Sequence, residues 1–266
     1  MKRIEIIKKY KEILINIIKY IDVYKIGRRN KFNISFYLNY IFRILFYGEH
    51  WNTFYCIDCD RSTIRKKFYK WRNMGIFIEA YKQLFKLYNS NKTIKYLYID
   101  SAIIQNMNCS DNKIHFHYKM KTKKSIKLSI ICDNNYTVNS YVITNPKIHD
   151  SKLTKQLTDN LKCKLKRKSK LIGDKGYINK NIKLIKNRQK IKLVTPLRIN
   201  QKNCKKINKK NKKLLRNRFK VESLFGILKR TCRRLQLIND RLLINYETFL
   251  IMAITCQLIR TIYKNK

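Results

Sequence analysis

The chain has 266 residues, enough for one large domain or two modest ones. Apolar residues make up 44% of it, and only two prolines and six glycines occur, so there is ample core and little room for long flexible loops. The formal net charge of +46 makes the chain repel itself unless its surface binds a polyanion, and nucleic acid is the obvious one. Codon bias in an AT-rich genome can inflate lysine, but it does not explain why so few acids remain.

Neither secretion nor membrane insertion is predicted. The apolar run after the first residue is broken at once by charges, which a signal peptide does not tolerate. Residues 242–259 are the most apolar stretch, but Asn245 and Glu247 are costly in hydrocarbon, so we expect a buried helix of a soluble protein. The eight cysteines are scattered and expected to be reduced. Cys56 and Cys59 have half of a zinc spacing, but no second pair lies nearby in the sequence.

The first third of the chain is predicted to be helical. An amphipathic helix is followed by a basic tether at residues 25–31. A second helix can be capped by Ser35 and ended by Gly48. Ser62 can cap a third helix, and residues 75–87 form a fourth. The third helix turns apolar residues inward and leaves four cations outside: Arg65, Lys66, Lys70 and Arg72.

A helix, a turn and a basic helix form the layout of a helix-turn-helix DNA reader, whose second helix enters the major groove. The alternative is a solvated face on a helical bundle. We expect residues 1–90 to form a small helical DNA-binding domain and residues 91–266 to form a second domain.

After residue 93 the pattern changes to that of a mixed sheet with helices on its faces, an α/β fold. The predicted strands are 94–104, 125–133, 137–144, 170–174 and 191–195. The predicted helices are 150–161 with Asp150 as its cap, one from residue 179, 214–230, and 246–262, which is expected to cover the sheet. A lysine-dense loop occupies residues 198–213.

Three acids fall on these elements at informative places. Asp100 lies within one strand, Asp174 at the end of another, and Glu222 on a helix. If the two strands are neighbours, the carboxylates converge at one end of the sheet. Oxygen ligands of this kind suit Mg²⁺ or Mn²⁺. Two such ions ~3.5–4 Å apart can clamp the attacking and leaving oxygens of a phosphoryl displacement, with Asp100 bridging both.

Two cations share a helix edge with Glu222. Arg218 and Lys229 can hold non-bridging phosphate oxygens, although a surface salt-bridge edge is the simpler alternative. Other acids have local explanations, because Asp133 lies in a hairpin turn and Asp150 precedes a helix.

These stretches together resemble the DDE transposases of bacterial insertion sequences, specifically the insertion-sequence-five group. The resembling stretches are residues 98–102 (YIDSA), 121–127 (KTKKSIK), 149–151 (HDS), 172–177 (IGDKGY) and the spacing of Arg218, Glu222 and Lys229. The similarity covers roughly residues 33–260. Leu215 departs from it, since the family often has a tyrosine there.

The resemblance implies an RNase H-like catalytic domain with the triad Asp100, Asp174 and Glu222 on Mg²⁺ or Mn²⁺, as two ions. It implies a transposase that cuts at terminal inverted repeats of double-stranded DNA and joins the freed ends to target DNA as a homodimer or higher oligomer, with no membrane partner. A non-catalytic DNA-binding protein and an RNase H-like nuclease are the alternatives. The expected DNA contacts are Arg65, Lys66, Lys70, Arg72, Lys121, Lys123, Lys124, Lys127, Arg218 and Lys229.

Overall fold

The computed structural model describes residues 2–22, 32–90, 92–118, 123–178, 191–196 and 209–264. The chain divides into two compact units. The helical unit comprises Met1–Ser90, Met107–Ser110 and Leu228–Lys266, and the sheet unit comprises Asn91–Asn106 and Asp111–Ile227. The division into functional domains 1–90 and 91–266 stays a prediction.

The helices and strands have the following bounds. The helices are α1 (Arg3–Ile21), α2 (Ile34–Tyr47), α3 (Arg61–Asn73), α4 (Ile76–Asn89), α5 (Asp150–Asp159), α6 (Lys209–Arg216), α7 (Phe219–Thr231) and α8 (Leu243–Tyr263). The strands are β1 (Ile94–Asn106), β2 (His115–Phe116), β3 (Lys124–Asp133), β4 (Val138–Thr144), β5 (Leu165–Ile172), β6 (Ile191–Val194) and β7 (Leu237–Ile238). The basic tether, Lys121 and the helix expected from residue 179 lie outside the described residues.

Two helix caps in the helical unit differ from the predicted ones. Helix α2 is capped by Asn33 rather than Ser35, and α3 by Asp60 rather than Ser62. In each case the helix begins earlier than expected, and the side-chain oxygen of Asn or Asp accepts a backbone N–H of the first turn. Gly48 ends α2 in the left-handed conformation, as predicted.

Helix α8 organises the helical unit. Every residue from Thr248 to Ile259 is buried, so the helix is apolar on all sides and must be surrounded. It packs on α1, α2 and α4 rather than over strands as expected from the sequence, and the ring of Phe249 stacks on Phe68 at 4.8 Å. No helix among the described ranges is long and apolar enough to cross a membrane.

The sheet unit confirms the predicted mixed sheet. Strand β1 lies in the middle, antiparallel to β3 on one side and parallel to β5 on the other. Strands β2 and β4 pair with the far edge of β3, and β6 extends the parallel side. The strand order is therefore β4–β3–β1–β5–β6, which places β1 in the middle of the sheet and makes it a rigid place for a functional group.

One face of this sheet carries a buried apolar core. Leu97 and Ile99 of β1 contact Ile131 of β3, and Leu153 and Leu157 of α5 cover them. Since side chains alternate along a strand, the residues adjacent to these in β1, including Asp100, project to the opposite face.

Candidate active site

Asp100 and Asp174 follow paired positions on two neighbouring parallel strands. In the parallel pair of β1 and β5, Tyr98 lies opposite Ile172. Each acid comes two residues after its member of this pair, one still within β1 and the other in the turn after β5. Because both strands run in the same direction, the two carboxylates emerge at the same end of the sheet.

The turn that carries Asp174 is held tightly. A Cβ on Gly173 would lie 2.6 Å from Cγ2 of Ile99, so only glycine allows the turn to approach β1 this closely. The Asp174 carboxylate accepts the N–H of Lys175 at 2.7 Å and caps a 3-10 turn. That turn ends at buried Tyr177, whose hydroxyl hydrogen-bonds the Ser101 hydroxyl at 2.7 Å.

Arg218 brings the second and third acids together. The predicted single helix 214–230 is in fact α6 and α7, and Arg218 lies in the break between them. Its Nη1 lies 3.6 Å from Asp174 Oδ1, and its Nη2 lies 3.1 Å from Glu222 Oε1. Both carboxylates are about half exposed, so neither ion pair contributes much stability. Their effect is to gather Asp174 and Glu222 around one guanidinium.

The pKa of Asp100 is raised to about 6, chiefly by burial and also by the negative charges of Glu222 and Asp150. The Ser101 N–H, which the carboxylate accepts at 2.9 Å, and the Arg218 guanidinium act in the opposite direction. A carboxyl with a raised pKa beside other acids is common in functional sites.

Asp150 also lies near Asp100, which was not predicted from the sequence. It was predicted to cap α5, but the cap is His149, whose Nδ1 accepts the Ser151 N–H at 3.2 Å. Asp150 instead binds Lys127 at 3.1 Å and adds negative charge near Asp100. The adjacent His149 and Asp150 were the feature of the sequence that could have pointed to this acid.

Lys127 departs from its expected contact with DNA. It is buried, because β3 runs through the sheet at this point, and its ammonium donates to Ile148 O at 2.5 Å and to Asp150. Lys123 and Lys124 are exposed, which fits the expectation, while Lys121 is not described. Lys229 is partly buried, and burial lowers its pKa.

The four cations of α3 fall into two pairs. Lys70 binds Asp22 at 2.5 Å, and the Arg72 guanidinium bonds the side chain of Asn245, so both have partners within the helical unit. Lys66 is exposed and Arg65 partly so, which leaves them better placed to contact a phosphate.

The carboxylates do not form a closed cage. Within the described ranges, no three His, Cys, Asp or Glu side chains are grouped closely enough to hold a metal ion. The Asp174 and Glu222 carboxylates both pair with the Arg218 guanidinium.

Comparisons with known proteins agree with this geometry. A family model described as the transposase DDE domain matches residues 78–256. No curated protein matches the chain. The chain is similar to a solved structure described as a cryo-EM structure of piggyBac transposase synaptic complex with hairpin DNA, with a TM-score of 0.53 and 10% identity. The match covers 97% of this chain and 66% of that one, so this chain spans less than two thirds of the neighbour's length.

At 10% identity this likeness bears on the fold alone, and with the strand order it confirms an RNase H-like mixed sheet flanked by helices and preceded by a helical region. The family model extends over β1, the turn after β5 and α7, and thus over most of the chain. The chain belongs to the transposase DDE domain family.

Proposed function

We propose that the chain is a transposase of the insertion-sequence-five group that binds the ends of its element, cleaves a phosphodiester there and joins the freed 3′-hydroxyl to target DNA. The proposal is carried by the parallel register of Tyr98 with Ile172, from which we infer that Asp100 lies near Asp174, and by the ion pairs that Arg218 makes with Asp174 and Glu222.

The donor set fits a divalent cation. All three groups are carboxylates, and hard ions such as Mg²⁺ and Mn²⁺ prefer such oxygens. The raised pKa of Asp100 means that its negative charge is poorly compensated, and a cation would relieve this. Asp174 and Glu222 are half exposed and can turn towards an ion. Held by these three residues, Mg²⁺ or Mn²⁺ would stabilise charge on the phosphate and favour deprotonation of the attacking hydroxyl.

The chain's own cations position the substrate. The planar guanidinium of Arg218 suits the non-bridging oxygens of a phosphodiester, which would replace Asp174 and Glu222 as its ion-pair partners. The carboxylates released in this way become available as ligands. The net charge of +46 draws DNA towards the protein and makes its binding strongly salt-dependent.

Recognition of the element ends is assigned to the helical unit. The exposed side of α3 carries Lys66 with Arg65 beside it, on a helix whose apolar side is fixed by buried Phe68 and Trp71. The solved structure named above is a synaptic complex with DNA. By analogy, this chain would act as a dimer or higher oligomer that holds two ends of double-stranded DNA.

The test uses purified protein with DNA from both flanks of its own gene, first with Ca²⁺ and then with Mg²⁺ or Mn²⁺. We expect salt-sensitive binding to the terminal repeats with Ca²⁺, and cleaved and joined products once Mg²⁺ replaces it. Binding without any product would favour the non-catalytic DNA-binding protein. Cutting without joining and without preference for the repeats would favour the nuclease.

A further inference from the structure

The turn between α2 and α3 brings two cysteines together. Cys56 Sγ lies 3.4 Å from Cys59 Sγ, and both are free thiols. The neighbouring Tyr55 and Ile57 are 72% and 78% exposed, so the turn is open to small molecules. A disulfide needs an S–S distance of about 2.05 Å, and a surface turn of this kind can make that small closure.

The two sulfurs have different environments. Burial raises the pKa of Cys56, but hydrogen bonds from the Tyr40 hydroxyl, from Cys59 and from nearby backbone N–H groups outweigh it, and the net pKa is lowered. The pKa of Cys59 is raised to about 12, first by burial, then by its hydrogen bond with Cys56 and by the negative charges of Cys56, Asp58 and Asp60. Cys56 is therefore the better thiolate and Cys59 the better holder of a proton.

We propose that Cys56 and Cys59 form a redox-active dithiol that exchanges with low-molecular-weight disulfides such as oxidised glutathione, with Cys56 as nucleophile and Cys59 as resolving thiol. The Cys56 thiolate attacks one sulfur of the external disulfide, whose S–S bond breaks, and the leaving thiolate takes a proton. Cys59 then loses its proton and attacks the Cys56 sulfur, which releases the second external thiol. Two protein thiols are oxidised and one external disulfide is reduced.

Other cysteines of the described chain provide internal controls. Cys132 and Cys256 are fully buried, and burial raises the pKa of both thiols. Buried thiols of this kind react slowly. We therefore expect Cys132 and Cys256 to react much more slowly than Cys56 with the same external disulfide.

The first test exposes the full chain to oxidised glutathione at pH 7, followed by acid quenching, alkylation and peptide mass spectrometry. Wild type should form the internal Cys56–Cys59 disulfide. Cys59→Ser should accumulate the mixed disulfide on Cys56, and Cys56→Ser should react at Cys59 at least about tenfold more slowly. Equal rates in the two variants, or two separate mixed disulfides in wild type, would overturn the proposal.

The second test addresses how Cys56 is activated. Tyr40→Phe removes the hydroxyl that hydrogen-bonds the sulfur, so Cys56 should alkylate more slowly at pH 7, with its rate midpoint at higher pH. Tyr47→Phe, at a 57% exposed position on the same helix, is the matched control and should leave the profile unchanged. If both variants keep the wild-type rate and pH midpoint, the assignment of Cys56 as an activated nucleophile is lost.

Discussion

The ionised carboxylate of Asp100 should destabilise the folded state at neutral pH. Its folded pKa of about 6 stands above the ordinary value of 3.8, and one pKa unit corresponds to about 1.4 kcal/mol. Because the folded pKa is raised, the protonated acid is favoured by folding, and this stability is lost as pH rises from about 4 through 6. Asp100→Asn should therefore gain up to about 3 kcal/mol at pH 8 and almost nothing at pH 4, with solvent at the partly exposed carboxylate reducing the gain.

The assay must measure the unfolding of the sheet unit. Both tryptophans, Trp51 and Trp71, lie in the helical unit, so their fluorescence does not follow this part of the chain directly. Hydrogen exchange of peptides from β1 and β3, measured in chelator at several pH values, does. Asp159→Asn, at an exposed position that ends α5, makes the same change in net charge and should shift stability by less than about 0.5 kcal/mol.

The reasoning fails if Asp100→Asn and Asp159→Asn give the same pH profile. It also fails if Asp100→Asn destabilises the sheet at pH 8, because the Asp100 carboxylate would then be stabilised by its surroundings.

Three further predictions test the packing and charge of the structure. Gly173→Ala should destabilise the sheet unit by about 1–3 kcal/mol, because the added methyl group would contact Ile99. Gly226→Ala, with open space around it in α7, should instead stabilise the protein by about 0.5–1 kcal/mol. Hydrogen exchange measures both changes, and equal effects would refute the steric argument. Asp240→Asn should cost about 3–5 kcal/mol in urea unfolding because Arg234, 1% exposed, loses its carboxylate partner at 2.9 Å; a loss under about 1 kcal/mol would contradict this. Arg218→Gln should raise the pKa of Asp100 above its present value of about 6 in a carboxyl titration by NMR, and an unchanged midpoint would remove Arg218 from the surroundings of Asp100.

Most strands were predicted close to their observed bounds because they are segments of β-formers bounded by turn residues, whereas β5 begins at Leu165 rather than residue 170, in a lysine-rich stretch. The strand with Asp100 and the β3–β4 hairpin occur where expected, and Pro196 follows β6 as predicted. The order of predicted strands and helices indicated the mixed sheet, and the RNase H-like fold that the family resemblance implied is confirmed.

Long-range features could not be predicted in the same way. Nothing local indicates that Lys127 turns inward to Asp150, or that the break at Arg218 lets one guanidinium reach two acids. Helix α8 looked like a cover for the sheet because its apolar pattern shows only that it is buried, and not against what. Caps were misplaced by one or two residues, because several polar residues compete at each helix start.

The central claim is that Asp100, Asp174 and Glu222 act together on a phosphodiester. The most direct measurement compares wild type with Asp100→Asn, Asp174→Asn and Glu222→Gln for cleavage of the element's end in Mg²⁺, and for binding of the same DNA in Ca²⁺. The account predicts that each variant loses cleavage by at least about a thousandfold while binding stays within a few-fold of wild type. Cleavage retained in any one of the three variants would contradict the assignment of that residue.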